Sequence, residues 1–175
     1  NLGSEQWDPF WLAITNQFNW APLFLLILFI IFKTFGWKRG GIMVLSLIIL
    51  VTISDQLTVF IKDHTQRLRP NNDPEIMHML RTLIKPQSFS FMSGHATTST
   101  FFSVYVILLL ERRFNWAYLI FIFPALFAYS RVYLGVHFPL DITVGICTGI
   151  ALANIYYYFY KKIDNKIFPE RKKLT

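Results

Sequence analysis

The chain has 175 residues, of which 54% are hydrophobic, 18% aromatic and only 15% charged. That length suits a single domain, residues 1–175, and the long uncharged blocks exclude an ordinary soluble domain in favour of membrane-spanning helices. The net charge of +7 would favour nucleic acid in a soluble protein. Here the basic residues lie between the apolar blocks, as membrane topology requires, so no nucleic-acid partner is expected.

Five apolar segments are predicted to cross a membrane as helices, because a helix satisfies its backbone hydrogen bonds within hydrocarbon. The predicted spans are residues 20–35, 41–61, 94–110, 114–130 and 142–160. The segment 9–18 before them either lies in the membrane interface or extends the first span. The tryptophans lie near the predicted ends, as in an aromatic belt: Trp7, Trp11, Trp20, Trp37 and Trp116.

The basic residues predict the orientation of these spans. One side carries eleven of them: Lys33, Lys38, Arg39, Arg112, Arg113, Lys161, Lys162, Lys166, Arg171, Lys172 and Lys173. The other side carries six: Lys62, Arg67, Arg69, Arg81, Lys85 and Arg131. This excess places the C-terminal tail inside and the N terminus, with loops 62–91 and 131–140, on the outer side of a bacterial inner membrane.

Two further expectations concern processing and thiol chemistry. The start NLGSEQWDPFW lacks a basic region, so no cleavable signal peptide is expected, and the absence of an initial Met is compatible with missing native residues. Cys147 is the single cysteine, so no intrachain disulfide can form, and we expect it to be a small core residue.

Three polar clusters lie at the outer ends of the predicted spans: KDHTQRLRP, FMSGH and SRVYLGVHFPLD. Their candidate site residues are Lys62, Arg69, Ser93, Gly94, His95, Arg131, His137 and Asp141. All of them fall on one side of the membrane if the span count is right, which indicates a common site.

The basic members of these clusters predict an anion site. Lys62, Arg69 and Arg131 are cations whose burial is costly without an anion to pair with. The planar guanidinium matches phosphate oxygens, and lysine adds a point charge. A helix that starts at Gly94 offers free backbone N–H groups to the same anion. A phosphate or a similar oxyanion is therefore the expected ligand.

The two histidines add catalytic groups. His137 and Asp141 are four residues apart, with Pro139 suited to the first turn of a helix. A carboxylate at this spacing can hold one imidazole N–H, as in catalytic triads, and His95 can serve as general acid and base. These groups suit phosphoryl transfer through a covalent intermediate without a metal. The alternative is that the cations are snorkelling anchors and the third cluster only closes a helix pair.

In this order and spacing the clusters resemble the type 2 phosphatidic acid phosphatase superfamily. Its pattern is Lys-x6-Arg-Pro, then Pro-Ser-Gly-His, then Ser-Arg-x5-His-x3-Asp, and the match spans residues 62–141, nearly half the chain. One departure is Met92, which stands where the family commonly has a proline. That proline shapes a turn and does no chemistry, so the departure puts little in doubt.

The resemblance implies an all-α integral membrane bundle of about five transmembrane helices, an N-terminal interfacial helix and an active site at the outer membrane face. It implies that His137 attacks phosphorus, that Asp141 orients His137, and that His95 protonates the leaving oxygen and then activates water. The implied phosphate ligands are Lys62, Arg69, Ser93, Gly94 and Arg131.

The expected function is therefore a metal-independent lipid phosphatase without a cofactor, whose partners are a lipid phosphate and the bilayer. Undecaprenyl diphosphate and phosphatidylglycerol phosphate are the leading substrates. A lipid A phosphatase or a lipid-to-lipid phosphotransferase would use the same site. A vanadate-dependent haloperoxidase shares the anion site, but its relatives are soluble. A transporter or lipid-binding protein is the non-enzyme alternative, and the oligomeric state is open.

Other features allow more than one interpretation. Asp55 lies seven residues before Lys62, so on a helix it lies about 10 Å deeper on the same face. It either supports the cationic site or makes a polar helix–helix contact, which we favour. Small residues at Gly145, Gly149 and Ala153 form a stripe that is predicted to pack within the monomer, or else in a dimer.

The outer loop carries further polar residues. Its basic members either recognise more phosphates or anionic headgroups, or hold the loop to an anionic surface; they are Arg67, Arg81 and Lys85. A metal site is disfavoured because the available ligands are irregularly spaced; they are His64, Asp73, Glu75 and His78.

Overall fold

A computed structural model describes residues 3–111 and 113–169, and within these residues the chain is helical and contains no strand. The α-helices are α1 (Asp8–Thr15), α2 (Ala21–Thr65), α3 (Gly94–Leu110), α4 (Ile122–Tyr133) and α5 (Pro139–Ile167). Short 3-10 helices lie at Gln17–Trp20, Pro70–Asn72, Met77–Met79 and Asn115–Phe121. The predicted all-α class is confirmed.

The long helix α2 contains the first two predicted spans. Gly36 interrupts it with φ 72° and ψ 173°, a backbone conformation that glycine adopts without steric cost. Ala21 at one end of α2 and Lys62 near the other line the same cavity. The helix therefore folds back on itself at Gly36, and its two arms, residues 21–35 and 37–65, are separate passes.

Three helical stretches of the described chain have the length and hydropathy to cross a bilayer: Gln17–Asn72, Asn115–Tyr133 and Pro139–Ile167. The apolar helix α3 has 17 residues, which gives it a length of about 26 Å at 1.5 Å per residue. A bilayer hydrocarbon core is about 30 Å thick, so α3 nearly spans it. With two passes from α2, the fold matches the five predicted spans.

Helix α3 forms the centre of the bundle and is buried along most of its length. Its sequence therefore has no charged face: small and hydroxyl side chains fill the first turns, and apolar side chains fill the rest. It packs against α2, α4 and α5. The buried hydroxyl of Tyr105 finds a polar partner in Ser46 of α2, with an oxygen–oxygen distance of 2.7 Å. A polar group within the apolar core is thereby satisfied.

The small-residue stripe on α5 allows close packing against α3. A Cβ atom at Gly145 would lie 3.0 Å from the Ser93 carbonyl oxygen, and one at Gly149 would lie 2.7 Å from the Thr97 carbonyl oxygen. The stripe therefore packs within the monomer, as predicted. Cys147 lies two residues along the helix from Gly145, on the other face, and is exposed, so the expectation of a core cysteine was wrong.

The end of the bundle that carries the Gly36 turn is closed by an ion pair. Arg39 of α2 binds the carboxylate of Asp164 through two guanidinium nitrogens, and Asp164 is only 4% exposed. The hydroxyl of Tyr160 also donates to this carboxylate. Of the basic residues that predict the orientation, Arg112, Arg171, Lys172 and Lys173 lie outside the described residues.

Helix α1 is separate from the first span. Asn16 breaks the helix with an extended backbone, and its side chain accepts a hydrogen bond from Phe18 N. Trp11 packs on Tyr129 and Tyr133 of α4, with ring centroids 4.9 and 5.4 Å apart. Trp7 on the same segment is exposed, as suits a residue at a membrane interface.

Substitution Gly149→Ala should destabilise the bundle by about 1–3 kcal/mol, because the added methyl group would overlap the backbone of α3. The matched control is Gly41→Ala in α2, where nothing lies within 4 Å of the added methyl. The melting temperature in detergent measures both effects. A Gly149→Ala melting temperature at or above that of Gly41→Ala would contradict the packing described.

Candidate active site

The eight candidate site residues lie at one end of the bundle, which is called the site end below. They come from the last turn of α2, the segment after it, the start of α3, the last turn of α4, the loop before α5 and the first turn of α5: Lys62, Arg69, Ser93, Gly94, His95, Arg131, His137 and Asp141.

His137 lies between a carboxylate and a guanidinium. Its Nδ1 is 3.4 Å from Asp141 Oδ2, and its Nε2 is 3.1 Å from a terminal nitrogen of Arg69. A guanidinium N–H can only donate, so Nε2 is the accepting nitrogen and Nδ1 carries the proton towards Asp141. His137 is only 3% exposed, so few other hydrogen-bond partners are available that could stabilise a different tautomer.

The carboxylate of Asp141 is fully buried and receives donors from several parts of the chain. Arg67 donates to Oδ1 at 2.8 Å, and the Ser90 hydroxyl donates to Oδ2. The backbone N–H of Phe138 donates to Oδ2 at 3.0 Å, which caps the first turn of α5. A buried charge needs such partners, so the carboxylate is held in one orientation.

Arg69 is fixed by carbonyl oxygens as well as by His137. Its Nε donates to the Ser88 carbonyl oxygen at 2.6 Å, and a terminal nitrogen donates to the Val136 carbonyl oxygen at 3.0 Å. The side chain is buried. Its guanidinium is therefore pre-oriented beside the imidazole of His137, where it can bind an oxyanion.

The start of α3 is joined to the start of α5. Ser93 is the N-cap of α3, and its backbone N–H donates to the Asp141 carbonyl oxygen at 3.2 Å. A Cβ atom at Gly94 would lie 3.3 Å from Thr58 Oγ1 and 3.9 Å from Lys62 Nζ. The Lys62 ammonium thus reaches the N terminus of α3, where helix N–H groups favour an anion.

His95 occupies a different position from His137. Its ring stacks on Phe127 of α4, with centroids 4.7 Å apart and planes at 24°. It lines a cavity together with Lys62 and Gly94. Stacking fixes the plane of the ring while its edge stays available to a molecule in the cavity.

Arg131 is 5% exposed and has an incomplete set of hydrogen bonds. One terminal nitrogen donates to Thr15 Oγ1 of α1 at 2.5 Å. Its buried Nε has no hydrogen-bond partner in the described part of the chain. A buried guanidinium N–H without a partner at the site end is expected if Arg131 binds an anion there.

The electrostatic environment keeps His137 neutral. Burial lowers the pKa of His137 from 6.5 to about 4, a net shift that the hydrogen bond to Asp141 opposes and the cations Arg69, Arg131 and Lys62 reinforce. The imidazole is therefore unprotonated at neutral pH, with a lone pair on Nε2. A neutral imidazole is what nucleophilic attack requires.

A cavity of about 780 Å³ runs from these groups into the bundle. Lys62, Gly94 and His95 line it at the site end, and Phe24 and Phe102 line it between the helices. Its walls are largely apolar, since four phenylalanine side chains besides Phe18 border it: Phe24, Phe102, Phe123 and Phe127.

The sequence missed several partners of the site. Arg67 and Arg81 were assigned to headgroups or an anionic surface, but Arg67 binds Asp141 and Arg81 binds Asp8 of α1 at 2.5 Å. Ser90 lies three residues before Ser93, but its contact with Asp141 crosses 51 positions and carries no local signal. Thr15 contacts Arg131 across 116 positions and was equally hidden.

Among residues 3–111 and 113–169, no group of three or more His, Cys, Asp or Glu side chains is placed to hold a metal ion. The loop residues that the sequence offered as ligands form no such group either: His64, Asp73, Glu75 and His78.

The chain is similar in sequence to known membrane phosphatases. The profile of the PAP2 superfamily matches residues 39–164. The chain is 29% identical over 170 residues to lipid A 4'-phosphatase of Bacteroides thetaiotaomicron, a match that covers 95% of this chain and 75% of that protein. It is 33% identical over 135 residues to undecaprenyl-diphosphatase of Sulfolobus acidocaldarius, covering 77% and 60%.

The fold is also similar to that of a solved membrane protein structure. The crystal structure of a transmembrane PAP2 type phosphatidylglycerolphosphate phosphatase from Bacillus subtilis superposes with a TM-score of 0.70 at 22% sequence identity. That superposition covers 97% of this chain and 82% of the other. The chain therefore belongs to the PAP2 superfamily, and it is a multi-pass protein of the membrane lipid phosphatase group.

Proposed function

We propose that the protein hydrolyses a phosphate monoester or diphosphate of a membrane lipid through a phosphohistidine at His137. The observation that carries this proposal is the line Arg69, His137, Asp141, which leaves Nε2 unprotonated next to a fixed guanidinium. A neutral imidazole nitrogen beside an anion-binding group is placed to attack phosphorus.

In the first step the phosphate lies against Arg69, Arg131, Lys62 and the N terminus of α3, where Ser93 caps the helix and Gly94 leaves its backbone open. Arg69 transfers its hydrogen bond from His137 Nε2 to a phosphate oxygen. The freed Nε2 lone pair forms the bond to phosphorus while the bond from phosphorus to the lipid oxygen breaks. His95, whose protonated form the negative charge of the bound phosphate stabilises, gives its proton to that leaving oxygen. Asp141 stabilises the positive charge that develops on the His137 ring.

In the second step water attacks the phosphorus of the phosphohistidine. His95, now neutral, accepts a proton from this water, and the phosphorus–nitrogen bond breaks. The electron pair returns to Nε2 of His137, and inorganic phosphate leaves. Both histidines then regain their starting states, so the cycle balances without a metal or another cofactor.

A lipid substrate is supported by the position of the site. The cations lie at the ends of membrane-spanning helices, and the cavity beside them continues between the helices with largely apolar walls. A headgroup phosphate can therefore reach His137 while the chains stay in hydrocarbon. A water-soluble phosphate ester without hydrocarbon chains would leave this apolar cavity unfilled.

The identity of the lipid is a choice among a few candidates. From the sequence motifs alone, undecaprenyl diphosphate and phosphatidylglycerol phosphate were the leading substrate candidates. The lipid A 4'-phosphatase match covers 95% of this chain, compared with 77% for the undecaprenyl-diphosphatase match. Lipid A phosphates are therefore the substrates to test first.

The test is phosphate release by the purified protein in detergent, with a chelator present, from lipid A, undecaprenyl diphosphate, phosphatidylglycerol phosphate and phosphatidic acid. We expect release from at least one lipid. His137→Ala should reduce turnover at least about a thousandfold, because it removes the nucleophile. The matched control is His78→Ala, an exposed histidine of the outer loop between α2 and α3, which should keep full activity.

Two results would contradict this proposal in different ways. No release from any of the four lipids by folded protein would exclude the phosphatase activity. Release that the chelator abolishes would exclude the metal-independent mechanism and leave the phosphatase assignment in place.

We also propose that the site end faces the periplasm or exterior of a bacterial inner membrane. Lys33, Lys38 and Arg39 flank the turn at Gly36, which lies at the opposite end of the second arm of α2 from Lys62. Basic residues favour the cytoplasmic side. The prediction uses two single-cysteine variants in a Cys147→Ser background. Gln87→Cys in the exposed outer loop should react with an impermeant maleimide in intact cells, and Lys38→Cys should react only after lysis. The reverse pattern would invert the orientation.

A further inference from the structure

Asp55 is an acidic residue at membrane depth that the catalytic proposal does not use. It lies on α2 seven residues before Lys62, which places it two helical turns, about 10 Å, deeper between the helices. Its side chain is exposed to the cavity that His95 and Lys62 also line. Ionisable residues at this depth are costly and are retained where they face a partner or a polar ligand.

The expected polar helix–helix contact does not involve Asp55. Its carboxylate makes no hydrogen bond or salt bridge with any residue that the structure describes. The polar contact between α2 and α3 at this level joins Ser54 Oγ and Thr98 Oγ1, which are 2.8 Å apart. Because Ser54 fills that structural role, the carboxylate of Asp55 is left facing the cavity.

A carboxylate in this position has a narrow choice of partners. When ionised it can only accept hydrogen bonds, so its partner must be a donor. Lys62 lies within electrostatic range of Asp55. A second phosphate or any other anion would be repelled, and a cationic group is costly at this membrane depth. The complementary ligand is therefore a neutral donor, a hydroxyl group or an amide N–H.

We propose that Asp55 accepts a hydrogen bond from a hydroxyl or amide N–H in the membrane-embedded part of the lipid substrate. It thereby selects lipid phosphates that carry such a donor below the phosphate over those that lack one. This inference rests on the proposed phosphatase function, because it requires the phosphate to lie at the site end while the chains occupy the cavity.

The walls of the cavity fit a lipid segment of this kind. Around Asp55 the polar side chains of Thr52, Thr58 and Thr98 line the cavity, and beyond them the lining turns apolar with Phe24 and Phe102. A polar linkage between headgroup and chain would meet the first group, and hydrocarbon would meet the second. An isoprenoid chain or a glycerol diester offers no donor to the carboxylate.

The test compares two phosphate monoesters with matched chain lengths in mixed micelles. Ceramide 1-phosphate carries a hydroxyl and an amide N–H close to its phosphate, and phosphatidic acid carries neither. We expect the wild-type protein to show a higher kcat/KM for ceramide 1-phosphate. Asp55→Leu should lower that value about tenfold, the worth of a hydrogen bond to a charged group, and leave phosphatidic acid within about twofold.

The matched control is Gln56→Leu, which changes an exposed polar side chain at the same depth that does not line the cavity. It should leave both kcat/KM values unchanged. Asp55→Asn, which keeps an acceptor oxygen without the charge, should fall between wild type and Asp55→Leu. The ratio of the two kcat/KM values does not depend on the active fraction, so partial misfolding of a variant cannot imitate the effect.

Three results would overturn the inference. In the first, wild type shows no preference for ceramide 1-phosphate. In the second, Asp55→Leu reduces hydrolysis of both lipids equally, which would mean that Asp55 acts through the charge of Lys62. In the third, Asp55→Leu changes neither. Failure of the underlying function is distinguishable, because wild type would then release phosphate from none of the four lipids of the phosphatase test. Release from one of those four without any release from ceramide 1-phosphate would also overturn the inference.

Discussion

The site end depends on the burial of one carboxylate. Asp141 has a fully buried side chain and stays charged at acceptable cost only because donors from three separate segments surround it. Those donors are Arg67, Ser90 and the backbone N–H of Phe138, with the His137 ring beside them. The same hydrogen bonds that compensate the charge hold the outer loop against the start of α5 and orient the imidazole. Folding of this region and the alignment of its reactive groups are therefore a single process.

The bundle supplies the framework for that arrangement. Close approach of α5 to α3 at Gly145 and Gly149 brings the N-terminal ends of the two helices together, so that Ser93 and Asp141 share a backbone hydrogen bond. Two positive helix ends then converge on one point, next to the cations from α2, α4 and the loop between α2 and α3. The fold-back of α2 at Gly36 returns the chain to the same end and completes the wall of the cavity.

The sequence predicted those parts of the protein that depend on local pattern. Five apolar segments, the cluster spacing and the pair His137 and Asp141 are all set within a few turns of the chain, and the structure places them together. The sequence did not predict the partner of Arg67. That residue contacts Asp141 across 74 positions, and no local pattern around a loop arginine indicates that it binds a buried carboxylate. Asp55 shows the opposite case. Its position on the same helix face as Lys62 was predictable. Whether its side chain contacts a helix or faces a cavity depends on how α2 folds back. Ser54 makes the polar contact with α3 that was expected of Asp55.

The central claim is that phosphate passes through a covalent bond to His137. Lipid labelled with ³²P in its phosphate, mixed with the protein and quenched in alkali within the first turnovers, tests it most directly, because phosphohistidine survives base. We expect label on the peptide that contains His137. The label should disappear as water hydrolyses the phosphohistidine, and it should be absent from His137→Asn. Release of labelled phosphate at the normal rate with no labelled protein, or with label on another residue, would contradict it.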